Sequence, residues 1–336
     1  MPADVTTAWV PAAADQAASP PSPAVKAHDG YRHEAFLWRG EDEFLAGTVP
    51  FVLDGLAGDQ PVMVAVIQQR IDLLRAALPP EDAKQVQFVD MAEVGHNPAR
   101  IIPAWRGFIE ERGAGGRPVR GIGEPIWSGR RAAEVTECQV HEALLNLAVD
   151  PHTPLWLLCP YDVEGLAPDV VTEAHRSHPA LVDVKDYRGS TLYGGSHHVE
   201  TVFETPLPPP AAAPDSCREF GSAALVAVRE DVIAHALGAG VPSERSADLA
   251  LAVHEVAVNS IQHGSGRGVL RIWRDAGALV CEIRDSGRIT DPLVGRSMPA
   301  WDDESGRGLW MANQLCDLVQ VRSGADGTTI RIHTWL

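Results

Sequence analysis

Basic residues are scarce in this sequence: 28 Lys and Arg stand against 45 Asp and Glu, for a formal charge of -17. Nucleic-acid backbones and anionic membranes are bound through basic patches, so the imbalance argues against both and points to proteins or small molecules as partners. Long apolar runs are also missing, which excludes a membrane-spanning helix as an expectation. Met1 to Ala27 is rich in Ala and Pro and lacks a basic region followed by an apolar one. It therefore reads as a disordered tail over residues 1–27 rather than a signal peptide, and the protein as cytoplasmic. The five cysteines, Cys138, Cys159, Cys217, Cys281 and Cys316, include no C-x-x-C pair, and four lie in apolar or helical runs. That is the pattern of core thiols in a reducing compartment. Histidines offer no metal set either: neither His175 with His178 nor His197 with His198 belongs to three or four ligands at a coherent spacing.

What is present suggests two domains, since 336 residues at 45% hydrophobic content can bury two cores. The boundary is the proline-rich Thr205 to Pro214, TPLPPPAAAP, within a linker over residues 201–216; its prolines favour an extended spacer. In the first domain, residues 28–200, strand-like runs (Tyr31 to Trp38, Pro61 to Ile67, Gln85 to Val89, Pro118 to Ile122, Leu155 to Cys159) alternate with helical ones (Glu41 to Leu56, Arg70 to Ala77, Ala99 to Arg112, Arg131 to Val149). Alternation of this kind predicts a doubly wound α/β sheet. After the apolar VMVAVI the chain continues Gln68-Gln69-Arg70, without the glycines and Lys-Thr pair of a Walker loop. Glu124 and Tyr161-Asp162, at predicted strand ends, are either pocket residues or turn and packing residues.

The second domain, residues 217–336, is organised around Asp248 to Gly264, DLALAVHEVAVNSIQHG. Leu249, Val253, Val256 and Ser260, with Ala252 and Ala257, form an apolar or small stripe at helical spacing. Glu255 and Asn259 are i and i+4 neighbours, with His263 one turn on. Such an edge is either merely wet, or it is a site in which a carboxylate takes a proton while a carboxamide oxygen ligates Mg2+. Downstream come strands at Val269 to Trp273 and Ala278 to Ile283, then Asp285-Ser286-Gly287, and then Ser305-Gly306-Arg307-Gly308-Leu309 before a helix to Leu318. The chain finishes with Gly327-Thr328-Thr329-Ile330.

The order E-x-x-x-N, D-x-G, G-x-G-L and G-T-T resembles the GHKL ATP-binding fold, an α/β sandwich, and within it the anti-sigma factor serine kinases. The resemblance implies ATP and Mg2+ as cofactors, with Glu255 the general base and Asn259 the metal ligand. It places His263 near the phosphates, and Asp285, Gly287 and Thr329 at the adenine edge. Gly306, Arg307, Gly308 and Leu309 would form the phosphate-side turn. The family's box usually reads D-x-G-x-G; here Gly287 is followed by Arg288-Ile289, and the second glycine is missing. Arg288 and Arg307 are either guanidinium forks for phosphates or solvated surface residues. The connection from Arg288 to Ser305 is long enough to be a lid.

Phe44-Leu45, Gly123-Glu124-Pro125-Ile126-Trp127, Glu142-Ala143-Leu144-Leu145-Asn146 and Leu158-Cys159-Pro160-Tyr161-Asp162 resemble the MEDS sensory domain. That resemblance implies a RecA-like core without a phosphate loop, sensing a small molecule. The two together imply an anti-sigma regulatory protein. It would hold a sigma factor and phosphorylate a Ser or Thr of a STAS anti-anti-sigma partner, and a homodimer through the GHKL sheet is expected. Two other readings stay open: a partner-sequestering module whose nucleotide site has degraded, and a histidine kinase whose acceptor lies on another chain, since His235 has no phosphoacceptor setting.

Overall fold

The computed structural model describes residues 30–299 and 306–336, so the expected tail and the acidic Asp302 to Glu304 lie outside the described residues. The first half runs β1 (Arg32–Trp38), α1 (Gly40–Ala57), β2 (Val62–Val66), α2 (Gln68–Ala77), the single turn α3 (Pro80–Ala83), β3 (Gln87–Asp90), the single turn α4 (Met91–Val94) and α5 (Ile101–Arg112). It continues with β4 (Val119–Gly123), α6 (Ala132–Ala148), β5 (Leu155–Asp162), α7 (Pro168–Ser177), β6 (Ala180–Val182), β7 (Tyr187–Gly189) and α8 (Gly195–Glu204). The sheet order is β3-β2-β4-β5-β1-β6-β7, with the β6–β7 pair antiparallel and the others parallel. Side chains alternate across it. Ala35, Leu37, Met63 and Ala65 pack with α5 and α6, while Phe36, Trp38, Val62, Val64 and Val66 pack with α1 and α2. Strands apolar on both faces require a helical layer on each side, which is the doubly wound arrangement read from the sequence.

The second half comprises β8 (Ser216–Phe220), α9 (Leu225–Gly238), α10 (Ser243–His263), β9 (Gly268–Asp275), β10 (Ala278–Asp285), α11 (Arg307–Leu315), β11 (Leu318–Gly324) and β12 (Gly327–Trp335). Its sheet is antiparallel, in the order β11-β12-β10-β9-β8. Helices cover one face over Leu270, Ile272, Leu279, Cys281, Ile283, Val319, Val321, Ile330 and Ile332, giving the two-layer α/β sandwich. Two strands were not expected. One is β8, SCREF, which pairs with β9, because an edge strand needs only its alternate residues to face the core. The helix expected to Leu318 stops at Leu315, and Leu318 opens β11 instead.

The halves are not spaced apart. α8 runs into the expected linker and bridges the two cores, with Val199 in the first and Phe203 in the second. Beyond it Leu207 is buried, and the Pro208 carbonyl accepts the Arg331 guanidinium at 2.8 Å. The outer face of the antiparallel sheet, through which a homodimer was expected, meets α6 and α8 of the same chain along β11 and β12. Gln320 Nε2 donates to the Ala133 carbonyl at 3.4 Å, and the Arg131 guanidinium lies 4.3 Å from the Trp335 ring centre. On the same face Glu282 is fully buried among Arg271, Arg284 and Arg331. Burial alone would raise its carboxyl, but hydrogen bonds from Arg331 and Arg271 hold it below the ordinary carboxylate range. No helix among the described residues is long and apolar enough to cross a membrane.

Burial pushes the imidazoles of His141 and His333 down to about 3. The fold therefore holds both neutral, and their stability contribution is complete above their unfolded value near 6.5 and lost as pH falls toward 3. His333 meets Gln320 Oε1 through Nε2 at 3.0 Å, a contact that a glutamine amide can reproduce. His333→Gln is expected to flatten the fall of unfolding free energy below pH 6.5 by up to about 1.4 kcal/mol per pH unit, measured by denaturant melts at pH 7, 5.5 and 4.5.

Candidate functional site

The apolar stripe of α10, Leu249, Val253 and Val256 with Ala252 and Ala257, is buried against the sheet. The helical repeat therefore leaves Glu255, Asn259 and His263 along the other edge. Asn259, Ser260 and His263 line a cavity of about 460 Å3 that Asp285, Gly287, Gly306 and Leu309 also line.

At one end Asp285 closes β10. Its Oδ2 accepts the Ser260 hydroxyl at 2.6 Å and its Oδ1 accepts the Gly287 amide at 2.7 Å, so each oxygen keeps a second acceptor position. A Cβ at Gly287 would stand 2.5 Å from the His263 carbonyl oxygen, and only glycine lets the chain fold back over the carboxylate here. Thr328, the β12 partner of Asp285, donates its hydroxyl to the Gly287 carbonyl at 2.9 Å. Thr329, expected at this edge, faces the other way. Residues alternate along β12, and the phase that reaches the cavity is Thr328 and Ile330, which leaves Thr329 on the outer face beside Arg284 and Arg322.

At the other end Gly306, left-handed at φ 80°, precedes α11, and no side chain caps the helix. Its first-turn amides have no intrahelical acceptor, which makes this end suited to an anion. Gly308 is what brings α11 onto α10. A Cβ there would stand 3.1 Å from Asn259 Nδ2 and 3.3 Å from Glu255 Oε2. Glu255 and Asn259 are thus held at the helix start, Asn259 in the cavity lining and Glu255 flanking it. Leu309 is buried and Arg307 is exposed.

The segment after Gly287 does not hang free. Ile289, where a second glycine would stand, lines the cavity and donates its amide to Ser323 Oγ at 2.8 Å. Arg288, read as either a phosphate fork or a surface residue, lines the cavity and pairs with the exposed Glu204 of α8 at 2.7 Å. Leu293 packs on the core of the first half. The Gly295 carbonyl accepts Asn313 Nδ2 at 2.9 Å, and Asn313 Oδ1 accepts Asn97 Nδ2 at 3.1 Å. Arg296 Nη2 reaches Glu137 Oε1 of α6 at 3.0 Å, and Arg322 Nη1 of β11 reaches Oε2 of the same carboxylate at 3.1 Å. All three side chains are buried. Sequence reasoning missed this clamp, though it carried a signal: Glu137 falls in the buried stripe of α6 with Val140, His141 and Leu144, where an acidic residue needs a partner. The candidates in the first half are bonded locally. Glu124 accepts Arg70 at 2.7 Å, Tyr161 is buried edge-on to His178, and Asp162 Oδ1 accepts the amides of Glu164 and Gly165.

Residues 32–179 match the MEDS family, the methanogen/methylotroph, DcmR sensory domain. Residues 221–334 match the histidine kinase-like ATPase domain. No curated protein matches the chain. Among solved structures, the RsbU and RsbW domains of Rv1364c from Mycobacterium tuberculosis match at 20% identity and a TM-score of 0.27, over 37% of this chain and 33% of that one. The histidine kinase AdeS of Acinetobacter baumannii matches at 12% identity and a TM-score of 0.21, over 36% of this chain and 67% of that one. The chain thus spans about a third of the length of the first of these.

Removing one partner of a buried ion pair costs about 3–5 kcal/mol, because the remaining charge stays unpaired. Glu137→Gln should therefore free the segment around Arg296 while both domains stay folded. Tryptic cleavage after Arg296 is expected to speed up by at least about tenfold. Cleavage at the wild-type rate would mean that Glu137 does not hold the segment.

Proposed function

We propose that this chain, which joins a MEDS sensory domain to a histidine kinase-like ATPase domain, is an ATP-dependent regulatory protein kinase acting on a serine or threonine of a protein partner. The observation that carries the reading is the close packing of α11 on α10 at Gly308, which sets a carboxylate and a carboxamide beside an uncapped helix start. The cavity fits a nucleotide. Its volume, about 460 Å3, is that of a small-molecule site, and the two oxygens of Asp285 retain acceptor positions for an exocyclic amino group at the end opposite the anion-binding turn.

In this reading Asp285 and Thr328 hold the base edge, and the α11 amides with Gly306 hold the phosphates. The Asn259 oxygen contributes a ligand to Mg2+, a hard cation that prefers oxygen. ATP with Mg2+, when bound, supplies the transferable γ-phosphoryl group. Glu255 orients the partner's hydroxyl and takes its proton. The finer assignment, a sigma factor held by the same domain and a STAS anti-anti-sigma protein as phosphoryl acceptor, rests on the resemblance in the sequence motifs. A small molecule bound by the MEDS domain would be the signal.

Ile289 in the cavity lining, at the position of the missing glycine, favours a second reading, a partner-sequestering module with a degraded nucleotide site.

Calorimetry with ATP, with and without Mg2+, separates the two readings. The kinase reading expects Mg2+-dependent binding that weakens in Asn259→Ala, together with a Glu255→Ala variant that binds ATP normally and transfers no phosphoryl group to its partner. Folded wild-type protein that binds no ATP would establish the sequestering module, and transfer by Glu255→Ala at the wild-type rate would remove Glu255 as the base.

A further inference from the structure

Four side chains that play no part in the nucleotide site meet in the core of the first half. They are His33 on β1, Glu142 on α6, Cys159 on β5 and His178 at the end of α7, and none is more than 3% exposed. One ligand atom from each, two imidazole nitrogens, a carboxylate oxygen and a sulfur, lies within 4.8 Å of all the others.

The outward nitrogens fix how the rings are protonated. His33 Nδ1 is 3.1 Å from the carboxamide oxygen of Asn146, whose amide group donates to the Ser177 carbonyl at 2.7 Å and so sets its orientation. His178 Nδ1 is 2.8 Å from the Ala174 carbonyl. Both partners are acceptors, so both Nδ1 atoms carry hydrogen and, in the neutral rings, both Nε2 lone pairs turn inward. Histidines that bind metals are oriented in this way, by a carbonyl or carboxylate on the far nitrogen.

Inward, both lone pairs face the Glu142 carboxylate, and only that of His33 also has the Cys159 thiol within reach. His33 Nε2 is 3.0 Å from Glu142 Oε2 and 3.4 Å from Cys159 Sγ. His178 Nε2 is 3.2 Å from the same Oε2 but makes no hydrogen bond, and Glu142 Oε1 has no partner either. Protonating both rings would place two cations with centroids 4.1 Å apart in a buried site. A single dication answers all four groups at once. Its charge is matched by the Glu142 carboxylate and a Cys159 thiolate, so the core would gain no net charge.

We propose that His33, Glu142, Cys159 and His178 form a closed, four-coordinate site for a divalent transition ion of the zinc class. Bonds of about 2.0–2.3 Å from such an ion imply ligand separations of roughly 3.3–3.8 Å, against 3.0, 3.2 and 3.4 Å for three of the pairs and none beyond 4.8 Å. Nitrogen and sulfur donors favour zinc or cobalt over magnesium or calcium. On binding, the Cys159 proton leaves for solvent and sulfur becomes the ligand. The four positions come from four elements, so no sequence spacing announced them.

The test uses the full-length protein, without a histidine tag, refolded from denaturant under reducing conditions with zinc or with cobalt. Elemental analysis after desalting should find a stoichiometric ion, and the cobalt form should show a sulfur-to-metal charge-transfer band with tetrahedral visible bands. Cys159→Ser should lose that band, and its affinity should fall by at least about tenfold while circular dichroism stays native. Cys316→Ser, a buried thiol outside the cluster, should keep both. Folded wild-type protein that retains no stoichiometric ion, or a cobalt spectrum without the thiolate band, would overturn the site and leave a hydrogen-bonded core network. Should the Cys159 variant fail to fold, the wild-type cobalt spectrum decides alone.

Discussion

A carboxylate taken out of water must be paired, and in this protein the pairing of Glu137 decides how the two halves meet. Its two oxygens are divided between Arg296, from the segment that follows the Asp285 turn, and Arg322, from the edge strand of the antiparallel sheet. All three groups are buried, so separating the halves would leave charges of the triad without their partners. The proline-rich stretch follows from this. It passes alongside a formed interface, with Leu207 buried and Pro208 bonded to Arg331, and does not hold two bodies apart.

The same triad bears on the proposed nucleotide site. The segment that Glu137 holds supplies Ile289, Leu293, Val294 and Gly295 to the wall of the cavity. α6 thus reaches the cavity wall through one ion pair, without crossing the sheet. α6 also carries Glu142, one of the four groups of the proposed ion site, so one helix joins the core of the MEDS domain to the loop beside the ATPase cavity. A signal bound in the first half can act on the second only if it favours one arrangement of that loop over another, and the Arg296–Glu137 pair is the contact where such a preference would be felt.

The sequence made the alternating α/β half legible because its strands are continuous apolar runs and its helices are periodic, signals that survive without tertiary context. It made α10 legible for the same reason, and with it the placement of Asn259, His263, Asp285, Gly287, Gly306 and Leu309 around one cavity. Thr329 was misplaced by one residue. A strand turns successive side chains to opposite faces, and two adjacent threonines give no sign of which one faces inward. β8 was not legible, since three polar residues in five conceal an edge strand. Glu137 stood out only as an acidic residue in the apolar stripe of α6, and its partners, like the cluster of His33, Glu142, Cys159 and His178, could be seen only after folding, because they lie on other elements.

The most direct test of the link between the halves is hydrogen exchange on the full-length chain with and without ATP and Mg2+. The account predicts that nucleotide changes exchange in α10 and the start of α11 and, together with them, in Ile289 to Pro299 and in α6 around Glu137. A change confined to the second half, with α6 unaltered, would contradict the claim that the first half holds the loop of the proposed nucleotide site.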